Sequence, residues 1–129
     1  MGFNLHLKTV GLIGTGRIGL LTGKILSLGM GCKVIAYDPY PNAKMAAEYG
    51  ITYVDTLHAL LRDSDIVSLH CPLLESTHHI LNGETISLMK KGVVLVNASR
   101  GALIETKALI QYARSASPTT FSLLLRDPM

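Results

Sequence analysis

The chain has 129 residues, of which 48% are hydrophobic, with a net charge of +3 and two cysteines. This size and apolar content predict one domain with a substantial core. No apolar run approaches the roughly 20 residues that cross a bilayer, so we expect no membrane span and a cytoplasmic protein. The basic residues are scattered without interleaved aromatics, which argues against a nucleic-acid partner. Cys32 and Cys71 form no CxxC pair and are predicted to be reduced thiols.

Apolar runs and helical patterns alternate along the chain. Short runs rich in β-branched residues predict five strands, at residues 9–13, 33–37, 51–54, 65–69 and 93–96. Between and after them, spacings and capping residues predict helices at 18–28, at 44–49, after Thr56, after Asn82 and at 106–112. This order predicts an α/β fold, a doubly wound parallel sheet of about five strands with helices on both sides.

Two regions of this plan carry more specific expectations. The apolar positions Leu21, Ile25 and Leu28 share one face of the first helix and are predicted to be core. Residues 1–8 form a lead-in, residues 9–112 the domain, and residues 113–129 a divergent tail that is expected to be disordered or to add residues 121–125 as a strand or a helix. If the tail adds nothing, the fifth strand is an unpaired edge.

A glycine-rich turn joins the first strand to the first helix. Its sequence, from Gly14 through Thr15, Gly16, Arg17 and Ile18 to Gly19, has the pattern G-x-G-x-x-G. The first glycine suits a tight turn, the second lets backbone approach a pyrophosphate, and the third lets the helix pack closely on the strand. The helix N-terminus then presents free N–H groups to phosphates.

An acidic residue, Asp38, ends the second strand about 20 residues after this turn. A carboxylate there can accept hydrogen bonds from ribose hydroxyls and would repel a 2′-phosphate, which favours NAD over NADP. No arginine follows to hold that phosphate, because the next residues are Pro39, Tyr40 and Pro41. The alternative is a structural turn beside a surface aspartate, and FAD and S-adenosylmethionine proteins share the turn.

Four separated stretches together resemble one known family. They read KTVGLIGTGRIG, VIAYDPYP, YVDTLHALLRDSDIVSLHCPL and THHILNGETISLMKKGVVLVNASRGALI. In this order they resemble the NAD-binding domain of D-isomer-specific 2-hydroxyacid dehydrogenases, and most closely the D-lactate dehydrogenase branch. The resemblance covers about residues 5–111.

The resemblance implies NAD as the cofactor and assigns residues to its parts. The backbone at Arg17 and Ile18 would contact the pyrophosphate, and Asp38 with Pro39 the adenosine ribose. Cys71 and Pro72 would lie beside the adenine end with Thr77 nearby, and Ala98, Ser99 and Arg100 near the nicotinamide half. Asn97 is predicted to bind the cofactor as well. His70 could be catalytic by residue type, but its position after the fourth strand favours a backbone wall of the cofactor site. Arg100 would also be catalytic, binding the substrate carboxylate and polarising the keto oxygen. The alternative for Arg100 is an ion pair with a surface acid.

The resemblance further implies an oxidoreductase that acts on the CH–OH group of a small D-2-hydroxy acid, converting D-lactate to pyruvate, and a homodimer. The family's catalytic histidine and its carboxylate partner lie beyond the arginine motif and have no counterpart here, so we expect a chain altered after about residue 111 and inactive alone. The alternatives are a catalytically silent NAD-binding module and an interaction protein. No metal site is expected, because His78 and His79, as helical neighbours, would point about 100° apart.

Overall fold

The fold is a single six-stranded sheet with helices on both faces. The computed structural model describes residues 7–97, 101–115 and 121–125. All its strands run parallel in the order β3-β2-β1-β4-β5-β6. They are β1 Thr9–Ile13, β2 Lys33–Tyr37, β3 Ile51–Tyr53, β4 Ile66–Leu69, β5 Val93–Asn97 and β6 Phe121–Leu125. The predicted doubly wound parallel sheet and its five predicted strands are confirmed.

A helix occurs at each of the five predicted positions, and the first two begin one residue earlier than predicted. They are α1 Arg17–Lys24, α2 Ala43–Tyr49, α3 Leu57–Asp63, α4 Gly83–Ile86 and α5 Thr106–Ser115. The side chains of Asn42, Thr56 and Asn82 accept N–H groups in the first turns of α2, α3 and α4. Within the described ranges, every helix is too short or too polar to cross a membrane.

The core has two layers because successive strand residues point to opposite faces of the sheet. Val10, Leu12 and Val34 pack on one face with Leu20 of α1 and Ala46 of α2. The other face is larger and packs against α3, α4 and α5, and its fully buried members include Val67, Leu69, Leu95, Leu60, Leu61 and Ile86. Both faces of the sheet are therefore covered at its centre, as parallel strands require.

The prediction that the apolar stripe of α1 is core is wrong. Leu21 is 41% exposed, while Ile25 and Leu28 are each 62% exposed and lie in a π-helical turn, Ile25–Gly29, that continues α1. The buried residues of α1 are instead Gly19, Leu20 and Gly23. A Cβ on Gly23 would lie 2.5 Å from Cδ1 of Ile51, so the helix packs on the sheet through its glycines and turns the stripe outward.

Strand β5 is not an edge of the sheet, because residues 121–125 add a strand, which was one of the two alternatives for the tail. Strand β6 pairs with the whole of β5, from Val93 opposite Phe121 to Asn97 opposite Leu125. Helix α5 ends at Ser115, beyond the predicted residue 112. Helix α5 is therefore longer than predicted, and residues 121–125 extend the sheet by one strand. The boundary between domain and tail stays a prediction.

Candidate cofactor-binding site

The predicted site residues follow strands that end at one edge of the sheet. Ile13 is aligned with Tyr37 in β2 and with Leu69 in β4, and Leu69 is aligned with Asn97 in β5. Four connections therefore leave the same edge, after β1, β2, β4 and β5. Open parallel sheets bind ligands at this carboxyl edge, beside the point where the strand order reverses between β1 and β4.

The first glycine of the motif occupies a position that a side chain would not tolerate. Gly14 has a φ of +97°, and its N–H donates to the Tyr37 carbonyl at 3.0 Å. A Cβ there would lie 2.7 Å from the backbone nitrogen of Cys71. At Gly19 a Cβ would lie 2.5 Å from the Gly14 carbonyl oxygen. Both glycines let β1, α1 and the connection after β4 approach each other closely.

The second glycine of the motif opens onto free space. Gly16 caps α1 with an extended backbone, without a side-chain hydrogen bond to the first turn. No atom would lie within 4 Å of a Cβ at Gly16, and the next two residues, Arg17 and Ile18, are exposed. No acidic residue lies in this first turn. The uncapped N–H groups and the open backbone fit a bound pyrophosphate.

Asp38 is hydrogen-bonded to the glycine loop itself. Its Oδ2 accepts the backbone N–H of Thr15 at 2.7 Å and the Thr15 hydroxyl at 2.8 Å. Its Oδ1 accepts the N–H of Tyr40 at 2.9 Å. Thr15 is buried and Asp38 is half-buried. The carboxylate is therefore held against the phosphate-binding turn, which distinguishes it from a solvated surface aspartate, while Pro39 beside it is exposed.

Two residues of this network were not predicted. The Tyr53 hydroxyl lies 2.6 Å from Thr15 Oγ1 and accepts the Asn42 N–H at 2.9 Å. A cleft of about 500 Å³ opens beside them between the first turn of α1 and helix α2. Its lining residues are Thr15, Gly16, Arg17, Leu20, Leu21, Asn42, Met45 and Tyr49. The sequence places Tyr53 near the end of a predicted strand, but this position alone does not indicate contacts with Thr15 and Asn42.

The connection after β4 contributes a histidine, a thiol and a braced turn. The N–H of His70 donates to the Ile13 carbonyl at 2.8 Å, and its Nε2 lies 2.8 Å from Oγ of the buried Ser68. The Thr77 hydroxyl donates to the Pro72 carbonyl at 2.6 Å and accepts the Leu74 N–H at 2.7 Å. Thr77 thereby fixes the loop that begins at the exposed Pro72.

The Cys71 thiol is poorly suited to nucleophilic chemistry. Cys71 is 7% exposed, and burial raises the pKa of its thiol, with the nearby Asp38 charge acting in the same direction. A raised pKa leaves little reactive thiolate at neutral pH. Cys71 therefore acts as part of the wall that Gly14 approaches.

The partial burial of His70 predicts a pH-dependent stability. Burial lowers its pKa from 6.5, so the unfolded chain binds this proton more readily than the folded chain. Stability should then fall as pH decreases below about 6.5. We expect the urea midpoint to drop less between about pH 7.5 and pH 5.5 in His70→Gln than in the wild type. The matched control is His58→Gln on the exposed surface of α3, and an equal drop in all three proteins would contradict the assignment.

The predicted nicotinamide half is only partly described. Asn97 ends β5 and is 1% exposed. Ala98, Ser99 and Arg100 lie outside the described residues, so their roles stay predictions.

The two adjacent histidines differ from expectation. His78 and His79 lie in a turn before α4 and not in a helix, and their rings stack with centroids 3.8 Å apart. Across the described residues, no group of three metal-ligating side chains was found.

The strand order, the glycine turn and the acid bound to it define a dinucleotide-binding α/β domain. Residues 1–122 match the family described as "D-isomer specific 2-hydroxyacid dehydrogenase, NAD binding domain". The chain belongs to this family.

Curated relatives and solved structures agree with this family. The D-lactate dehydrogenase of Curvularia clavata is 52% identical over 115 residues, which are 89% of this chain and 32% of that protein. Salmonella D-lactate dehydrogenase superposes with a TM-score of 0.87 at 43% identity, over 96% of this chain and 36% of that one. The NAD-complexed form of the Lactobacillus delbrueckii ssp. bulgaricus D-isomer specific 2-hydroxyacid dehydrogenase superposes with a TM-score of 0.85 at 38% identity. The match covers 97% of this chain and 37% of that one. The chain spans about a third of the relatives' length.

Proposed function

We propose that this chain binds NAD across the carboxyl edge of its sheet, as the cofactor domain of an oxidoreductase for small D-2-hydroxy acids. The N–H groups at Gly16, Arg17 and Ile18 would hold the pyrophosphate, and Asp38 would accept an adenosine ribose hydroxyl. Bound NAD would supply the hydride acceptor. Cys71 and Pro72 would form a wall for the adenine end, and Asn97 to Arg100 would face the nicotinamide half.

The contact between Asp38 and the glycine loop is the observation that most supports this proposal. Two hydrogen bonds from Thr15 to Asp38 Oδ2, of 2.7 and 2.8 Å, join the predicted phosphate-binding turn to the predicted ribose-binding acid. A 2′-phosphate beside this carboxylate would meet a like charge at close range, which disfavours NADP. The NAD complex of a relative with the same fold supports the same cofactor.

The substrate and the assembly are proposed from the family. D-lactate and pyruvate would be the substrate pair, with Arg100 as the residue that binds the substrate carboxylate. A homodimer and a cytoplasmic location stay predictions from the sequence.

We propose that the 129 residues hold the cofactor without turning over substrate. The two residues directly after β4 are unsuited to replace a catalytic acid–base pair, because partial burial lowers the pKa of His70 and burial raises the pKa of Cys71. General acid–base catalysis typically contributes 10²–10⁴-fold, so its loss would reduce turnover by about that much. An interaction protein that binds no cofactor is the competing function.

Calorimetric titration of the purified chain tests the cofactor. We expect saturable heat with NAD and binding of NADP at least about tenfold weaker, because the carboxylate repels the added phosphate. In a second assay with reduced NAD and pyruvate, the absorbance band of the reduced cofactor should decrease at about the same rate with and without the protein. The absence of heat at millimolar NAD would contradict the proposal, and rapid turnover would contradict the cofactor-only assignment.

A further inference from the structure

A directed series of hydrogen bonds connects the end of β3 to the ribose-binding acid. Asp38 can only accept as a carboxylate, so the single proton of the Thr15 hydroxyl points to its Oδ2 at 2.8 Å. Thr15 Oγ1 must then accept the Tyr53 proton over 2.6 Å. The Tyr53 oxygen in turn accepts the Asn42 N–H at 2.9 Å. The order of donors is therefore determined from Asn42 through Tyr53 and Thr15 to Asp38.

The two oxygens of the Asp38 carboxylate accept different numbers of hydrogen bonds. Oδ2 accepts two hydrogen bonds from Thr15, one from its N–H and one from its hydroxyl. Among the described residues, Oδ1 accepts one, from the Tyr40 N–H. A carboxylate has about four lone-pair directions, so the remaining acceptor direction is on Oδ1. The orientation set through Oδ2 decides where that direction points.

We propose that Tyr53 is a positioning residue that sets the discrimination between ribose and its 2′-phosphate through Thr15 and Asp38. This inference rests on the proposed binding of NAD. Tyr53 is half-buried and contacts two separate connections, after β1 at Thr15 and after β2 at Asn42. Its hydroxyl orients the Thr15 hydroxyl and, by bonding to both Thr15 and Asn42, holds the two connections together. Without it, the carboxylate turns more freely and accommodates a phosphate more easily.

The test compares Tyr53→Phe with Tyr112→Phe by calorimetry with NAD and NADP. Tyr112 of α5 is the matched control, because it is also a half-buried tyrosine but packs against the larger core layer on the other face of the sheet. We expect Tyr53→Phe to weaken NAD binding about fivefold, the size expected for one neutral hydrogen bond. NADP binding should change by less than about twofold, so the preference for NAD narrows. Tyr112→Phe should leave both affinities as in the wild type.

A double-mutant cycle with Thr15→Val identifies the route. If Tyr53 acts through the Thr15 hydroxyl, Tyr53→Phe should have less than about twofold further effect in the Thr15→Val background. The inference would be overturned if Tyr53→Phe weakened NAD binding as much in the Thr15→Val background as in the wild type. It would also be overturned if Tyr53→Phe weakened NAD and NADP binding equally, or weakened neither. Failure of the wild type to bind NAD would instead overturn the proposed function, and this inference with it.

Discussion

Replacing Gly14 by alanine is expected to destabilise the folded chain by about 3–5 kcal/mol, a large part of the stability of a small domain. Two costs combine in this estimate. The φ of +97° is unfavourable for any residue with a Cβ. The new Cβ would also lie 2.7–2.9 Å from the nitrogen, Cα and Cβ of Cys71. Two of these three atoms are backbone, so relief requires the connection after β4 to move away from β1.

Urea unfolding followed by circular dichroism measures this effect. The matched control is Gly16→Ala, at a glycine whose φ of −70° suits alanine and whose added Cβ would meet no atom within 4 Å. We expect Gly16→Ala to cost about 0.5 kcal/mol, because only the helix cap changes. If Gly14→Ala unfolds at the wild-type midpoint, the close approach between the two connections is wrong.

The same control separates stability from cofactor binding. Gly16→Ala places a methyl group in the open space over which the pyrophosphate would lie. We therefore expect a folded chain of nearly normal stability that binds NAD more weakly.

Local sequence patterns were sufficient to predict most of the strands and the acidic residue Asp38. The strands Thr9–Ile13 and Lys33–Tyr37 have the predicted bounds, because short β-branched runs ended by glycine or Asp-Pro are strong local signals. Asp38 was identified from its spacing after the glycine turn. Its hydrogen bonds to Thr15 follow from the parallel pairing of β1 with β2, which aligns Ile13 with Tyr37.

Features that depend on tertiary packing were missed. Helical periodicity shows that Leu21, Ile25 and Leu28 share a face, but it does not show which face of α1 approaches the sheet. Glycines on another face allow closer packing, and this decides the orientation. The five-residue run at 121–125 was compatible with strand or helix by length and composition, and its pairing with β5 settles it as a strand.

The network around Tyr53 is a further case of a feature that local patterns do not contain. It joins Thr15, Asn42 and Tyr53, which come from three different connections or strand ends. Their proximity follows from the order β3-β2-β1 at one edge of the sheet. A prediction would have required the side-chain positions at all three strand ends together.

Removing the carboxylate of Asp38 is expected to weaken NAD binding by about 10–100-fold, the effect of losing a hydrogen bond to a charged group. In Asp38→Asn, the remaining oxygen can still accept the Thr15 N–H and hydroxyl, but an amide NH₂ then occupies the place of Oδ1. That NH₂ would face the Tyr40 N–H, which donates to Oδ1 in the wild type, and it cannot accept a ribose hydroxyl. We expect NADP binding to weaken less than NAD binding, because the like-charge repulsion is also removed.

Calorimetry with both cofactors, at low and at high salt, distinguishes these contributions. The advantage of NAD over NADP in the wild type should shrink as salt increases, since part of it is electrostatic repulsion that salt screens. In Asp38→Asn the same ratio should depend much less on salt. The matched control is Asp55→Asn, which removes an exposed carboxylate beyond β3 and should leave both affinities unchanged. Equal NAD affinity in Asp38→Asn and the wild type would show that the acid held by Thr15 does not bind the ribose, even if the glycine turn still binds the pyrophosphate.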